Sequence, residues 1–140
     1  MLKFAFNFNK DTWEYLATIT DVKRQKSYIG KCRLHKEDLD NKSSYFGYEI
    51  AESRAYKKYY KDLIYELKLK QKSLLDFYNH YKDNKNFDAK NFLERKIKKQ
   101  IHLYEKEIVS LKLTLIALNE GIRLKIELKD KSSKKINETT

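Results

Sequence analysis

Apolar and polar residues alternate with a period of two at the start of the chain. Phe4, Phe6 and Phe8 are interleaved with Lys3, Ala5 and Asn7. Asn9-Lys10-Asp11 has turn chemistry, and Trp13, Tyr15, Ala17 and Ile19 alternate in the run that follows. Asp21 to Lys26 reads as a second turn. Beyond it Tyr28, Gly30, Cys32 and Leu34 share one strand face, with Ile29, Lys31 and Arg33 on the other. The pattern predicts an antiparallel meander over residues 1–36.

After a polar connection from Asp38 to Gly47, the period changes to steps of four and three. Tyr60, Ile64, Leu67, Gln71, Leu74, Tyr78 and Tyr81 form one such stripe, on a helix expected from about Glu49 to Lys82. Asp83-Asn84-Lys85-Asn86 breaks it, and Asp88 is suited to cap the next helix. There Ile97, Ile101, Tyr104, Ile108, Leu111, Leu115 and Leu118 repeat the step without a polar interruption. Two such stripes joined by a short loop predict an αα-hairpin packed like a coiled coil. Two continuations fit the residues after Leu118. Gly121 could end the helix, leaving Leu124, Ile126 and Leu128 as a strand; alternatively Ile122 extends the stripe to about Lys129, at a cost of roughly 1 kcal/mol for the glycine. The second is preferred. The expected class is therefore α+β: one domain over 1–130, with strands in 1–36 and a helical hairpin in 48–129, followed by a disordered polar tail at 131–140. Three short strands cannot cover two helices of roughly 50 Å, so a second copy of the chain is expected to meet the remaining apolar surface, as a homodimer or a larger assembly.

Composition sharpens this picture. The chain has no proline, so nothing interrupts a long helix. No apolar run approaches the roughly 18–20 residues that span a bilayer, no signal-peptide core opens the chain, and a single cysteine, Cys32, allows no internal disulfide. A cytoplasmic protein is expected, in the host cell if the chain is phage-encoded. The net charge of +11 favours polyanionic partners. Between Val22 and Lys36 lie Lys23, Arg24, Lys26, Lys31, Arg33 and Lys36, with no acidic residue; Arg95, Lys96, Lys98 and Lys99 form a second basic cluster. A lysine-rich proteome would account for the same excess, since most of the basic residues are lysine.

A search for reactive groups returns little. His35 and Asp38 are three apart, and His80 and His102 fall on different helices, so no metal-ligand spacing emerges. Glycine-rich phosphate loops are absent, and Glu105 and Glu107 do not share a helical face. A non-enzyme is expected, without cofactor or metal. What remains is the vocabulary of binding. Phe77, Tyr78, Asn79, His80 and Tyr81 close the first helix, and Asn84, Asn86, Phe87, Asn91, Phe92 and Arg95 open the second. Rings stack on bases, amides read base edges, and Arg or Lys takes phosphate.

The stretch from Lys31 to Lys58 carries a resemblance. Lys31-Cys32-Arg33-Leu34-His35-Lys36-Glu37-Asp38 leads through Ser43 and Gly47 to Glu49-Ile50-Ala51-Glu52-Ser53-Arg54-Ala55-Tyr56-Lys57-Lys58. This strand, His-x-x-Asp turn, Ser and Gly linker and Ile-Ala-x-x-Arg-Ala helix start resembles the phage anti-Thoeris sponges, the Thoeris anti-defence proteins of the first type. The resemblance implies a dimer or hexamer that sequesters a glycocyclic ADP-ribose immune signal without cleaving it, with cyclic oligonucleotides held by some members at a separate site. It also implies an aromatic ring and an asparagine for the base and arginines for phosphates. The matching positions are Tyr81, Asn91, Arg54 and Arg95, with Lys99 of the second basic cluster beside them. Lys98, Lys99, Lys106 and Lys112 stand where the family pattern would favour arginine. Asn91 and Arg95 lie one turn apart on one face, whereas Arg54 is some seven turns, roughly 40 Å, from Tyr81 along the first helix. A common pocket then requires Arg54 from a second subunit. The rival expectation is a phage nucleic-acid-binding or nuclease-inhibiting protein using the basic Val22–Lys36 run.

Overall fold

The computed structural model describes residues 1–33, 41–81 and 90–138, and the side chains within 1–33, 47–80, 93–128 and 130. It contains β1 (Leu2–Asn9), β2 (Glu14–Asp21), β3 (Lys26–Arg33), α1 (Asn41–Tyr81) and α2 (Lys90–Glu138). The class is α+β, an antiparallel sheet in the order β1-β2-β3 followed by two long helices, as the change of period predicts. The chain divides into two compact units: residues 1–60 with 115–140, and residues 61–114.

In the first unit, β1 pairs with β2 from Leu2↔Asp21 to Asn9↔Glu14, and β2 with β3 from Glu14↔Arg33 to Asp21↔Lys26. The register brings Phe8, Tyr15 and Cys32 into one row and Phe6, Ala17 and Gly30 into the next, all on the face that meets α1. Both connections are four-residue turns held by a side chain of the preceding strand. Asn9 Oδ1 accepts from the Asp11 amide at 3.0 Å, and Asp21 Oδ1 from the Arg24 amide at 3.2 Å. Each turn ends on a residue in the left-handed region, Trp13 at φ 55° and Gln25 at φ 54°. Trp13 thus belongs to the turn rather than to the second strand's alternation, and its ring meets Phe8 edge-on at 6.0 Å.

The core of this unit is made from Tyr15, Ala17, Ile19, Cys32, Ile50, Ala51 and Ala55. Small residues on both sides let the helix lie close to the sheet. A Cβ on Gly30 would overlap the Ala51 carbonyl and the Ala55 amide, and one on Gly47 would overlap the Tyr15 ring. The close approach explains why Ile50, Ala51 and Ala55 are 0% exposed; these are also the residues of the Ile-Ala-x-x-Arg-Ala signature. Gly47 lies inside α1, which begins at Asn41, so the Ser43–Gly47 stretch expected to be a linker is helical. A glycine that reads as a breaker is there because the Tyr15 ring occupies the space of a side chain. From α2, Ile126 packs on the core and Lys125 Nζ donates to the buried Ser53 Oγ at 2.9 Å.

Residues 61–114 form the second unit. The stripe positions are its most protected: Ile64, Leu67, Ile97 and Ile108 are buried, and Gln71, Leu74, Tyr78, Ile101, Tyr104 and Leu111 are half-buried between exposed neighbours. Gln71 interrupts the α1 stripe usefully, since its Nε2 donates to Glu105 at 3.0 Å and to the Ile101 carbonyl at 3.5 Å. α2 continues through Gly121, as the preferred continuation required, and its backbone stays helical to Glu138 across most of the segment expected to be a disordered tail. Lysines there are good helix formers, and no proline stops them. Leu34, His35, Asp38 and the expected loop and cap at 83–88 lie outside the described residues.

Candidate functional site

Among the described residues, α1 and α2 form open grooves in the 61–114 unit, and two of them contain residues of the second basic cluster. Leu74, Ile97 and Leu103 line the apolar part of one, with Lys96, Lys99 and Gln100 alongside, in a volume of about 480 Å³. Helical spacing creates this arrangement. Lys96, Lys99, Gln100 and Leu103 follow each other at steps of three, one and three, so two cations, an amide and a leucine share one side of α2. Arg95, exposed, stands one turn before Lys99.

The other groove holds about 440 Å³ and is lined by Gln71, Leu75, Tyr78, Lys98, Ile101, His102 and Glu105. Its polar groups engage one another. The Tyr78 hydroxyl donates to Glu94 Oε1 at 2.7 Å, and Lys98 Nζ pairs with the same oxygen at 3.2 Å while lying 5.9 Å from the Tyr78 ring centroid. The hydrogen bond to Glu94 is the main reason that the Tyr78 phenol and the Lys98 ammonium both hold their protons above their ordinary values. Gln71, bound to Glu105 and the Ile101 carbonyl, completes a polar network on this side.

The sequence candidates separate. Arg54 belongs to the unit of residues 1–60 with 115–140, where its Nη1 donates to the Lys31 carbonyl at 2.7 Å. Lys58, one turn later, donates to the Ile29 carbonyl at 2.6 Å. Arg95 and Lys99 share a face of α2 in the other unit. Tyr81 ends α1 and Asn91 lies in the first turn of α2, and the side chains of both fall outside the described residues. The sequence pattern marks Leu74 only as a stripe residue and does not mark Gln100. Lys96 sits in the named basic cluster, but nothing in a linear pattern distinguishes a groove-facing lysine from a solvated one.

The basic Val22–Lys36 run also divides. Arg24 turns back to Asp21, its Nη1 3.3 Å from Oδ2, and its guanidinium carbon lies 5.9 Å from the Tyr59 ring centroid. Lys31 and Arg33 are exposed on the sheet face opposite the core. Among the described residues, no three His, Cys, Asp or Glu gather as a metal set, and no helix is long and apolar enough to cross a membrane. Compared with known protein families, with curated proteins and with solved structures, the chain shows no match.

Proposed function

We propose that this chain is a phage-type, non-catalytic binding protein that sequesters a nucleotide-derived immune signal, with glycocyclic ADP-ribose as the first candidate and cyclic oligonucleotides as the second. The observation that carries the reading is the Leu74–Ile97–Leu103 groove flanked by Lys96, Lys99 and Gln100. An apolar floor takes a base or ribose face, ammonium groups take phosphate, and an amide can read a base edge. A volume of about 480 Å³ is within the range of small-molecule sites. Arg95 would reach phosphates from the turn before Lys99, and Tyr81 and Asn91 would supply the ring and amide that the family resemblance implies. Arg54 is better accounted for by the Lys31 carbonyl, and it leaves the ligand set.

Calorimetric titration with glycocyclic ADP-ribose, followed by heat release and mass analysis, tests this reading. Wild type should bind and return the ligand intact. Arg95→Ala and Lys99→Ala should each weaken binding by roughly 1.5–3 kcal/mol, as expected when a charge-assisted contact is lost, and Arg54→Ala should leave it unchanged. Unaltered affinity in both Arg95→Ala and Lys99→Ala would sink the site, and recovery of a cleaved product would replace the sponge with an enzyme.

A further inference from the structure

The two edges of the sheet are treated differently. Backbone groups on a strand of an antiparallel sheet point alternately to its two sides. On β3 the carbonyls of Ile29 and Lys31 point outward, and Lys58 and Arg54 occupy them. Their spacing of four along α1 matches two residues of strand, so the helix occupies these two carbonyls with its own cations. On β1 the alternation follows from Val22, whose amide donates to the Met1 carbonyl at 3.2 Å in continuation of the Leu2↔Asp21 register. Odd residues therefore face β2, and Leu2, Phe4, Phe6 and Phe8 present their N–H and C=O groups outward. Among the described residues nothing caps them. The strand is eight residues long with no proline, and Lys3 is its only charge. Phe4 and Phe6 lean on Tyr56 and Tyr48 of α1, at ring separations of 5.9 and 5.8 Å, yet stay 47% and 51% exposed.

We propose that β1 pairs antiparallel, edge to edge, with β1 of a second copy of this chain. Only a register that sets even residues opposite even residues joins the outward groups and keeps all the phenylalanines on one face. With Ala5 on the two-fold axis, Phe4 meets the partner's Phe6 and Leu2 meets the partner's Phe8, so every outward N–H and C=O of Leu2, Phe4, Phe6 and Phe8 is paired. Lys3 then faces the partner's Asn7 rather than another cation. This is the favourable place for two chains of net charge +11 to meet. Because Arg54 and Lys58 already take the Lys31 and Ile29 carbonyls of β3, the joined sheet has no matching free edge and stops at two copies instead of growing into a fibre.

Light scattering and hydrogen exchange on the full chain test the pairing. Wild type should have twice the mass of the 16.9 kDa chain, with slow exchange at the amides of Phe4, Phe6 and Phe8. Phe6→Pro removes one outward N–H and no β1–β2 bond, so it should give a monomer with unchanged helical circular dichroism. Ala5→Lys, on the exposed sheet face, sets like charges opposite at the axis and should do the same if the proline is poorly folded. Ala5→Cys should cross-link under mild oxidation, since facing residues of this kind lie about 4.5 Å apart and disulfides need about 4.4–6.8 Å; Asn7→Cys should not. A monomeric wild type overturns the proposal. So does a dimer that survives both Phe6→Pro and Ala5→Lys, or protection of these amides only after an unrelated extended peptide is added.

Discussion

A methyl group added at Gly30 would collide with the backbone of Ala51 and Ala55, which cannot rotate away. We expect Gly30→Ala to cost about 1–3 kcal/mol or more, as for an overpacked core, read as a fall in the urea midpoint. Gly121 has open space around the same position and lies in a continuous helix, so Gly121→Ala should stabilise by about 1 kcal/mol. Equal signs for the two substitutions would contradict the packing. Sequence alone shows three glycines and cannot tell these cases apart, because the distinction depends on what passes over each backbone. The same limit applies to Arg54: the family resemblance implies a phosphate role, and only the β3 edge reveals the carbonyl to which it donates. Tyrosines in the 1–60 stretch add a pH effect. Burial, then the charge of Glu52, raises the Tyr56 phenol, and burial, then Asp21, raises Tyr59. Their folded values exceed their unfolded ones, so their contribution is complete below about pH 10 and lost as pH climbs through the raised values. Thermal melts should fall in that alkaline window, and less so in a Tyr56→Phe, Tyr59→Phe double variant.

Elements were more legible than residues, because periodicity is a property of many positions at once. The stripe from Ile97 to Leu118 appears in the structure as protected positions between exposed neighbours. Errors fell at ends, where one residue's propensity decides. Gly47 and the serines before it suggested a linker, yet α1 includes them. The lysines and serines after Lys131 suggested a tail, yet the helix runs to Glu138. Within α2 the stripe makes a graded prediction. Ile108→Ala, at 2% exposure, should cost about 2–5 kcal/mol. Ile116→Ala, at 65%, should stay within about 0.5 kcal/mol for the isolated chain. A comparable loss at Ile116 would mean that this outer face is covered by another molecule.

At the scale of the whole molecule, the question is whether a charge of +11 acts as a polyanion-binding face or as a background. Among the described residues, the longest basic run does not form one continuous face. It is split by the pleat of β3 and by Arg24 turning inward to Asp21, which leaves Lys31 and Arg33 on the outer sheet face beside Ile29. Duplex binding needs several cations in phosphate register, and affinity built that way falls steeply as salt releases its advantage. Under the sponge reading, duplex DNA should bind weakly at physiological salt, in the non-specific range of roughly 10⁻⁴–10⁻⁶ M, with no footprint. The Lys31→Glu, Arg33→Glu double variant should lower that residual binding further. It should leave nucleotide affinity at the Lys99 groove unchanged, because the pair lies on the sheet and the groove residues lie on the helices. Fluorescence anisotropy with a labelled duplex at low and moderate salt, beside calorimetry with the nucleotide, separates the cases. A sharp footprint removed by the double variant, together with a silent calorimeter, would transfer the function to the sheet and make the chain a nucleic-acid-binding protein.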